Sequence, residues 1–473
     1  MVCLVNEVRF RWSPHLPQQS PMRRSLERQS WPRWHLGHSD ITPFGGSYTA
    51  PGSEDPPVWR ERSVIREHDT ARRAQDGRAV GTERTEYDAR QAAARELARE
   101  RGFSALVAWS RGGSTQDHYA DVYYLTGFYT HQPFIPDESG RWRAHGHTAL
   151  VLPVDGSGTL LMDMTELQDP KPAADRIRYT EDLVESLATT VVDKVPCNTD
   201  VALLGGEALA WRWGRELGVR LTEHRFIEAD DLAAELRLIK SEVELDLLRS
   251  AGEIGVRAVD AAMEAALPGI TEAEVAAAAI SEIVRSGGAL YGLGLSSGSW
   301  AHTFSPSTPA AYSRRRLDAG DMIRLDLYGS IDGYLFDFGR SRVVGRPATQ
   351  EQQEILDAVR DSVQAGTEFL RPGETLGAVA RRCEEVLGDS SYARRHGLPW
   401  ATMGGSWGHS LGLDWGSPWI ESTSSTVIRP GMCFAIERRI EAPGIGGANY
   451  ENNVIVTDTG PEIVTPAPDR YGE

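Results

Sequence analysis

The chain of 473 residues is long enough for two domains of ordinary size. Its composition, with 40% hydrophobic and 25% charged residues, is typical of a globular protein. The 50 Lys and Arg residues against 67 Asp and Glu residues give a formal charge of −17, which disfavours general binding to nucleic acids or to anionic membranes.

The first half of the chain predicts an extension followed by an α/β layer domain. Residues 1–60 are rich in Pro, Ser, Arg and Trp and lack periodicity, so we expect little fixed structure there. "TERTEYDARQAAARELARERG" predicts a helix that stops near Gly102. "FSALVAWS" and "ADVYYLTGFYT" predict strands, and "HTALVLPVDGSGTLLMDM" predicts a hairpin around Asp155-Gly156. A helix near residues 181–190 and the strand, helix and strand of "DVALLGG", "EALAWRWGRELG" and "VRLTEHR" complete a domain over 85–235.

A different pattern starts after this domain. The run that begins at "DLAAELRLIKSEVELDLLRSAGEIG" predicts two long helices separated by Pro268-Gly269. Strands with Asp/Gly turns follow, then a helix pair over about 350–386 that "RPGET" interrupts, and then a final group of strands. We therefore predict a second domain over residues 236–473.

The stretch "RLDLYGSIDGYLFDFGRS" carries two carboxylates among apolar residues. Asp326 and Asp337 are nearly symmetric about Ile331-Asp332, so a hairpin there would place them on adjacent strands, with Cβ atoms roughly 5 Å apart. Two such charges repel each other unless a cation or a shared proton lies between them. The alternative is that both are exposed strand residues, but the neighbours Leu325 and Phe338 favour burial.

A second hairpin repeats this arrangement. In "CFAIERRIEAPGIGGANYENNVIV", Glu437 and Glu451 flank Gly444 symmetrically. His409, in the glycine-flanked "GGSWGHSLGLDWGSPW", lies between the two hairpins in the sequence. A set of four carboxylates and one imidazole can hold two divalent ions, and its hard oxygen ligands favour Mn, Fe or Co. Such ions polarise a carbonyl group and lower the pKa of a bridging water.

The order of these residues resembles the pita-bread superfamily, which includes methionyl aminopeptidase, Xaa-Pro aminopeptidase, prolidase and creatinase. The resemblance covers roughly residues 85–465. It rests on four motifs, "LDLYGSIDGYLFDFGRS", "GHSLGL", "RPGMCFAIE" and "ENNVIVTDTGPEIVT". It implies five metal ligands, which are Asp326, Asp337, His409, Glu437 and Glu451, with Arg340 at the family's Asp-x-x-Arg position.

The resemblance also implies a fold, a reaction and an assembly. The fold class is α+β, with a pita-bread catalytic domain (a curved antiparallel sheet with helices) preceded by an α/β creatinase-type N-terminal domain. The implied function is a metal-dependent hydrolase, most like an Xaa-Pro aminopeptidase or dipeptidase, which cleaves an amide bond of a small peptide with a metal-bound hydroxide. Two divalent ions are implied, with Mn favoured over Co, Fe or Zn, and so is a homodimer. Glu437 would be the general base, and His302 would stabilise the oxyanion.

The sequence departs from the proline-peptidase pattern at several positions. Gly405 and Gly416 stand where that branch has histidines that contact the substrate, and Asn449 replaces an arginine. Asp414 lies among Trp300, Trp407, Trp415 and Trp419, which suggests a base or a cation-binding carboxylate. One alternative is therefore a lyase or amidinohydrolase on a small cationic metabolite, similar to dimethylsulfoniopropionate lyase or creatinase. A second alternative is a non-catalytic binding protein.

The cysteines and the apolar runs bear on the compartment. Cys3, Cys197, Cys383 and Cys433 are far apart, which disfavours a disulfide scaffold or a thiolate zinc site. No apolar run is long enough to cross a bilayer, and the N-terminal stretch lacks the features of a secretory signal. We predict a cytoplasmic location, with no membrane or nucleic-acid partner.

Overall fold

The computed structural model describes residues 83–112, 117–132, 146–164, 171–303, 310–397, 405–469 and 471. The predicted extension over residues 1–60 lies outside the described residues. The described helices are α1 (Arg84–Glu100), α2 (Ala120–Thr126), α3 (Leu183–Lys194), α4 (Trp211–Arg220), α5 (Asp230–Leu238), α6 (Glu242–Ala265), α7 (Glu272–Arg285), α8 (Gln350–Phe369), α9 (Leu376–Gly388) and α10 (Ser391–His396). None of the helices in these ranges is long and apolar enough to cross a bilayer.

The strands form three sheets within the described ranges. They are β1 (Ala105–Arg111), β2 (His147–Pro153), β3 (Thr159–Met162), β4 (Arg176–Tyr179), β5 (Thr199–Leu204), β6 (His224–Glu228), β7 (Ala289–Ser297), β8 (Met322–Ile331), β9 (Tyr334–Val343), β10 (Gly408–Leu411), β11 (Trp415–Trp419), β12 (Cys433–Ala442), β13 (Gly446–Thr457) and β14 (Gly460–Ile463). The chain is therefore a mixed helix and sheet protein, as predicted.

The N-terminal sheet has the strand order β4-β3-β2-β1-β5-β6. Strand β1 runs antiparallel to β2 but parallel to β5, which is parallel to β6. Because side chains alternate along β1, Leu106 and Ala108 pack on the face that α2 covers. Val107 and Trp109 pack on the opposite face, against α3 and α4.

One predicted strand of this domain is wrong. The segment "ADVYYLTGFYT" forms α2, not a strand, over residues Ala120–Thr126. The helix ends at Gly127, whose φ of 70° is the left-handed conformation that closes a helix. Val122 and Leu125 are 0% and 1% exposed, so packing against the sheet overrides the strand preference of Val and Tyr.

The first predicted long helix is also divided. Residues that we expected to be continuous form α5 and α6, separated at Ile239–Ser241. The Oγ of Ser241 accepts a hydrogen bond from the backbone N–H of Glu244, and the Glu244 side chain accepts one from the N–H of Ser241. This reciprocal capping box starts a new helix within a run of good helix formers. The predicted hairpin around Asp155-Gly156 and the α8–α9 pair are confirmed.

Two antiparallel sheets form the C-terminal half, with the orders β7-β8-β9 and β11-β10-β12-β13-β14. They meet along β9 and β13, where the Oγ of Ser341 accepts a hydrogen bond from the N–H of Asn449 at 2.9 Å. The side-chain amide of Asn449 also donates to the carbonyl of Leu325 at 3.1 Å. A Cβ at Gly339 would lie 1.9 Å from that amide nitrogen, so glycine is required for this approach of the two sheets.

The tip of the β8–β9 hairpin is held by residues of both the N-terminal and the C-terminal half. Asp332 and Gly333 form the turn with φ values of 48° and 90°, the conformation of a two-residue hairpin turn. The hydroxyl of Tyr123 donates to the carbonyl of Asp332 at 3.0 Å. The backbone N–H of Leu335 donates to the carbonyl of Gly412 at 2.9 Å. These contacts fix the hairpin that carries both predicted aspartate ligands.

Candidate metal centre

Asp326 and Asp337 lie diagonally on the β8–β9 hairpin. We predicted that the two aspartates face each other across the hairpin. This prediction is wrong, because the pairing of the two strands is shifted by two residues. Because the turn is Asp332-Gly333, Asp326 faces Gly339 and Asp337 faces Tyr328. A shift of two residues keeps both aspartates on the same face of the sheet. They therefore remain neighbours.

Glu437 and Glu451 lie directly opposite each other on β12 and β13, as predicted from their symmetry about Gly444. The approach of β9 to β13 then brings the two hairpins together. Ligand-type atoms of Asp337, His409 and Glu451 all lie within 4.8 Å of one another. The Nε2 of His409 is 3.5 Å from the Oδ2 of Asp337. Asp326 joins this group through a side-chain hydrogen bond with Glu451.

The carboxylates of this group are buried and repel one another. Asp326, Asp337 and Glu451 are 8%, 7% and 2% exposed. Burial, followed by the charge of Glu437, raises the pKa of Asp326 to about 7. Burial and the neighbouring carboxylates raise the pKa of Asp337 and of Glu451 well above the usual range. Burial also raises the pKa of Glu437 to about 7. In the absence of a cation, the group therefore retains protons.

His409 presents one ring nitrogen to the carboxylates. Its Nδ1 lies 3.0 Å from the carbonyl oxygen of Ser410, so a proton on Nδ1 would donate to that oxygen. Burial lowers the pKa of His409, which favours the neutral ring. In that tautomer the lone pair of Nε2 is directed towards the side of Asp337, as a metal ligand requires.

The chemistry of this group fits divalent cations. The Oδ1 of Asp326 is buried and has no hydrogen-bond partner among the described residues. A buried, unpaired carboxylate oxygen is costly, whereas carboxylates and a neutral imidazole are ordinary ligands of divalent metals. A bound cation would therefore stabilise this buried set of an imidazole and carboxylates that repel one another.

Stability of the metal-free protein is expected to fall as the pH rises from about 5 to about 8. Asp326 and Glu437 have a pKa of about 7 in the folded chain, against about 4 when unfolded. The folded state therefore binds more protons over this window. It therefore has its highest stability with respect to these groups below about pH 4, and that stability is lost as the pH rises past about 7. Thermal unfolding of chelator-treated protein at several pH values measures the slope.

The Asp326→Asn variant is the control for this prediction. It lacks one of the carboxylates whose pKa is raised in the folded chain, so its melting temperature should depend less steeply on pH. A wild-type melting temperature that rises with pH, or an unchanged slope in the variant, would contradict the prediction.

Asn453 is a site residue that the sequence analysis did not identify. It is 1% exposed, and its Oδ1 accepts the backbone N–H of Asp337 at 2.9 Å. Its side-chain amide donates to the carbonyl of Asp337. Asn453 lies two residues beyond Glu451 in "ENNVIV", but its contact with Asp337 forms only when β9 and β13 come together. Asn453 thus fixes the backbone of Asp337 against β13.

Asn453→Ala is expected to weaken metal binding by about 10–100-fold, the usual cost of removing a group that orients a ligand. Thr465→Val is the matched control, because Thr465 accepts the N–H of Asn453 at 2.8 Å without touching Asp337. Titration with Mn²⁺ compares the two. Equal metal affinities in the two variants would show that Asn453 has no positioning role.

His302, the predicted histidine outside this group, lies against Gly447 of β13. The Cα of His302 would be 3.1 Å from a Cβ at Gly447, and its Nδ1 is buried without a hydrogen-bond partner among the described residues. Trp300, 57% exposed, stacks beside the His302 ring. None of the contacts of the described residues joins His302 to His409. Its role as an oxyanion donor stays a prediction.

The other candidates divide between the site and the core. The rings of Trp415 and Trp419 lie 6.3 and 5.6 Å from the His409 ring. Trp407 is 1% exposed and belongs to the core. The Oδ2 of Asp414 lies 2.8 Å from the guanidinium of Arg237, so its charge is already paired.

Gly405 and Gly416 leave open space. A Cβ built at either position has no atom within 4 Å. Side chains are thus absent at the two positions where the proline-peptidase branch has histidines.

Two family models match the chain. The model of metallopeptidase family M24 matches residues 246–458, and the creatinase/prolidase N-terminal domain matches residues 90–239. An Xaa-Pro dipeptidase of Pyrococcus horikoshii is 30% identical over 268 residues, which cover 54% of this chain and 71% of that protein. A probable dipeptidase PepE of Mycobacterium tuberculosis is 31% identical over 341 residues, covering 68% of this chain and 84% of that protein.

Solved structures share the fold. Dipeptidase PepE from Mycobacterium ulcerans gives a TM-score of 0.67 at 26% identity, covering 82% of this chain and 98% of that one. The prolidase from Pyrococcus horikoshii gives a TM-score of 0.64 at 22% identity, covering 80% of this chain and 98% of that one. The second likeness concerns the fold alone.

Proposed function

The chain belongs to metallopeptidase family M24 and is a metal-dependent peptidase, and we propose that it cleaves Xaa-Pro dipeptides. The observation that carries this proposal is the meeting of Asp337, His409 and Glu451 within 4.8 Å in a buried group. The relatives named as Xaa-Pro dipeptidases supply the substrate class.

We assign metal binding to Asp326, Asp337, His409, Glu437 and Glu451. Bound divalent ions would polarise the substrate carbonyl and activate water for attack on the amide carbon. The hydrogen bonds from Asn453 and the pairing of Glu437 with Glu451 would hold the ligands in place before the substrate arrives. Glu437, half-buried opposite Glu451, would carry a proton from water to the leaving amine.

An aromatic wall beside His409 supports a substrate with proline. Trp415 contacts the rings of Tyr291 and Tyr328 at 4.8 and 5.0 Å, and its ring lies 6.3 Å from His409. Such faces suit the apolar, ring-shaped side chain of proline. The open space at Gly416, on the same strand, leaves room beside this wall.

The metal, the assembly and the compartment complete the proposal. An oxygen-rich ligand set favours Mn²⁺, with Co²⁺, Fe²⁺ or Zn²⁺ as alternatives. We propose a homodimer on the basis of the family resemblance. Cys197, Cys383 and Cys433 are free cysteines, which supports a reducing, cytoplasmic compartment.

Hydrolysis of defined dipeptides tests the substrate class. The Mn²⁺-loaded protein should release proline from Ala-Pro with a kcat/KM at least about tenfold above that for Ala-Ala, a difference of about 1.4 kcal/mol. The Asp337→Asn variant, prepared in parallel, controls for contaminating peptidases. Failure to cleave either dipeptide, with consumption of creatine or dimethylsulfoniopropionate instead, would refute the proposal.

A further inference from the structure

A cavity of about 560 Å³ lies outside the metal-site group. It opens at the carboxyl ends of β1, β5 and β6, where Ser110, Gly205 and Asp230 line it. The β10–β11 hairpin forms the opposite wall with Asp414 and Trp415. Its volume lies in the range of small-molecule sites.

The cavity lies where the connections of the N-terminal sheet diverge. Helix α2 follows β1 and packs with Leu106 and Ala108 on one face. Helix α4 follows β5 and packs with Val107 and Trp109 on the other face. In sheets with parallel strands, a crevice opens at the carboxyl ends of two neighbouring strands whose connections leave to opposite faces, and ligands bind there. The topology therefore favours a ligand site in this cavity.

The lining is strongly acidic. Arg237 is paired with Asp414 at 2.8 Å and lies 3.6 Å from Asp121. Arg101, outside the cavity, binds Asp231 and Glu235. The Nη2 of Arg111 also lies 3.2 Å from the Nε2 of the lining residue His118. Three guanidinium groups thus lie beside six carboxylates, which leaves a formal charge of 3 − 6 = −3. The six acidic lining residues are Asp121, Glu207, Asp230, Asp231, Glu235 and Asp414.

Several buried polar atoms of the lining have no hydrogen-bond partner among the described residues. The Oδ1 of Asp121 is the acceptor among them, which a cationic N–H group can satisfy. The Nη1 of Arg237 and the Nε1 of Trp109 are donors. Burial raises the pKa of Asp121 to about 6 even though Arg237 opposes the shift, and the charges of Asp414, Asp230 and Glu207 add to it. Negative charge around Asp121 is therefore only partly compensated.

We propose that this cavity binds a small organic cation, an aliphatic amine or guanidine, whose N–H groups donate to the carboxylates of Asp121 and Glu207. Glu207 is exposed, so the cavity is open to solvent on that side. The alkyl part of the ligand lies beside Trp415, whose ring also contacts His409. None of the five metal-site residues lines the cavity, so the cation site is distinct from the metal centre.

Calorimetric titration of the full-length, Mn²⁺-loaded protein with agmatine tests the proposal. We expect a dissociation constant below about 1 mM, and no binding of glutarate, an anion of similar length. Glu207→Gln and Asp121→Asn should each weaken agmatine binding by about tenfold or more, because each removes a charged acceptor. Asp193→Asn, an equal charge change at an exposed residue outside the cavity, should bind as the wild type does.

Glu207→Gln keeps the test decisive if Asp121→Asn fails to fold, because Glu207 is an exposed residue. The Asp337→Asn variant separates this site from the metal centre and should retain agmatine binding. Absence of binding up to about 10 mM, equal binding in Glu207→Gln and wild type, or loss of binding in Asp337→Asn would each overturn the proposal. None of these outcomes depends on whether the enzyme cleaves Xaa-Pro bonds.

Discussion

Replacing Asp337 by asparagine is expected to lower kcat/KM for dipeptide hydrolysis by about 10³-fold or more and to abolish tight metal binding. Removal of a group that merely orients a ligand costs about 10–100-fold, so loss of a ligand should cost more. Asp337 is 7% exposed and lies 3.5 Å from the Nε2 of His409. An amide at this position keeps the shape but loses the charge that attracts a divalent cation.

The same substitution should act on stability in opposite directions with and without metal. Burial and the carboxylates of Asp326 and Glu437 raise the pKa of Asp337, so its ionised form is unfavourable in the metal-free protein. Asp337→Asn should therefore raise the melting temperature of the metal-free protein. It should lower the melting temperature in excess Mn²⁺, because only the wild type gains the free energy of metal binding. Calorimetry with and without chelator measures both.

Asp332→Asn is the matched control on the same hairpin. Asp332 occupies the turn with a φ of 48°, a conformation that asparagine also adopts. The hydrogen bond from Tyr123 reaches its backbone carbonyl and survives the change. Activity and metal affinity should stay within about twofold of the wild type. Near-normal turnover in Asp337→Asn, or equal losses in both variants, would contradict the assigned role of Asp337.

Replacing Arg340 by alanine is expected to lower the free energy of unfolding by about 3–5 kcal/mol, because several buried acceptors lose their donor together. Arg340 is 1% exposed and donates to the carbonyl of Pro468 at 3.1 Å and to the Oδ1 of Asn452 at 2.9 Å. It also donates to the carbonyl of Glu451, and its guanidinium lies 4.1 Å from the centroid of the Tyr450 ring. The side chain therefore joins β9 to β13 beside the metal-site group.

Arg342→Ala controls for the removal of an arginine from the same strand. Arg342 is half-buried and donates to the carbonyls of Met263 at 2.8 Å and of Val343 at 3.3 Å. Its loss should cost less than about 2 kcal/mol. Denaturant unfolding compares the two variants. Equal losses of free energy would show that the contacts of Arg340 contribute no more than a partly exposed arginine does.

The hairpins could be predicted because their pattern is local. Glu437 and Glu451 pair across a turn centred on Gly444, and symmetry in the sequence predicted that register. For Asp326 and Asp337 the same reasoning placed the turn at Ile331-Asp332, one residue too early. The turn lies at Asp332-Gly333, which adopt the left-handed conformations that it requires. The error moved the pairing by two residues but left both carboxylates on one face.

The remaining features depend on contacts between distant parts of the chain. The strand preference of the Val122 segment gave way to packing of α2 on the sheet. The hydrogen bonds of Asn453 to Asp337 and the ion pair of Asp414 with Arg237 join residues more than 100 positions apart. Composition and periodicity carry no signal for such pairs. We interpreted Asp414 as a base or a cation-binding carboxylate, and the structure pairs it with the guanidinium of Arg237.

Anomalous diffraction from crystals of the Mn²⁺-loaded protein tests the central claim most directly. We predict anomalous peaks within about 2.0–2.5 Å of side-chain atoms of five residues, which are Asp326, Asp337, His409, Glu437 and Glu451. Soaking the same crystals with a chelator should remove these peaks. Fully loaded, active crystals whose anomalous peaks lie away from these five side chains would contradict it.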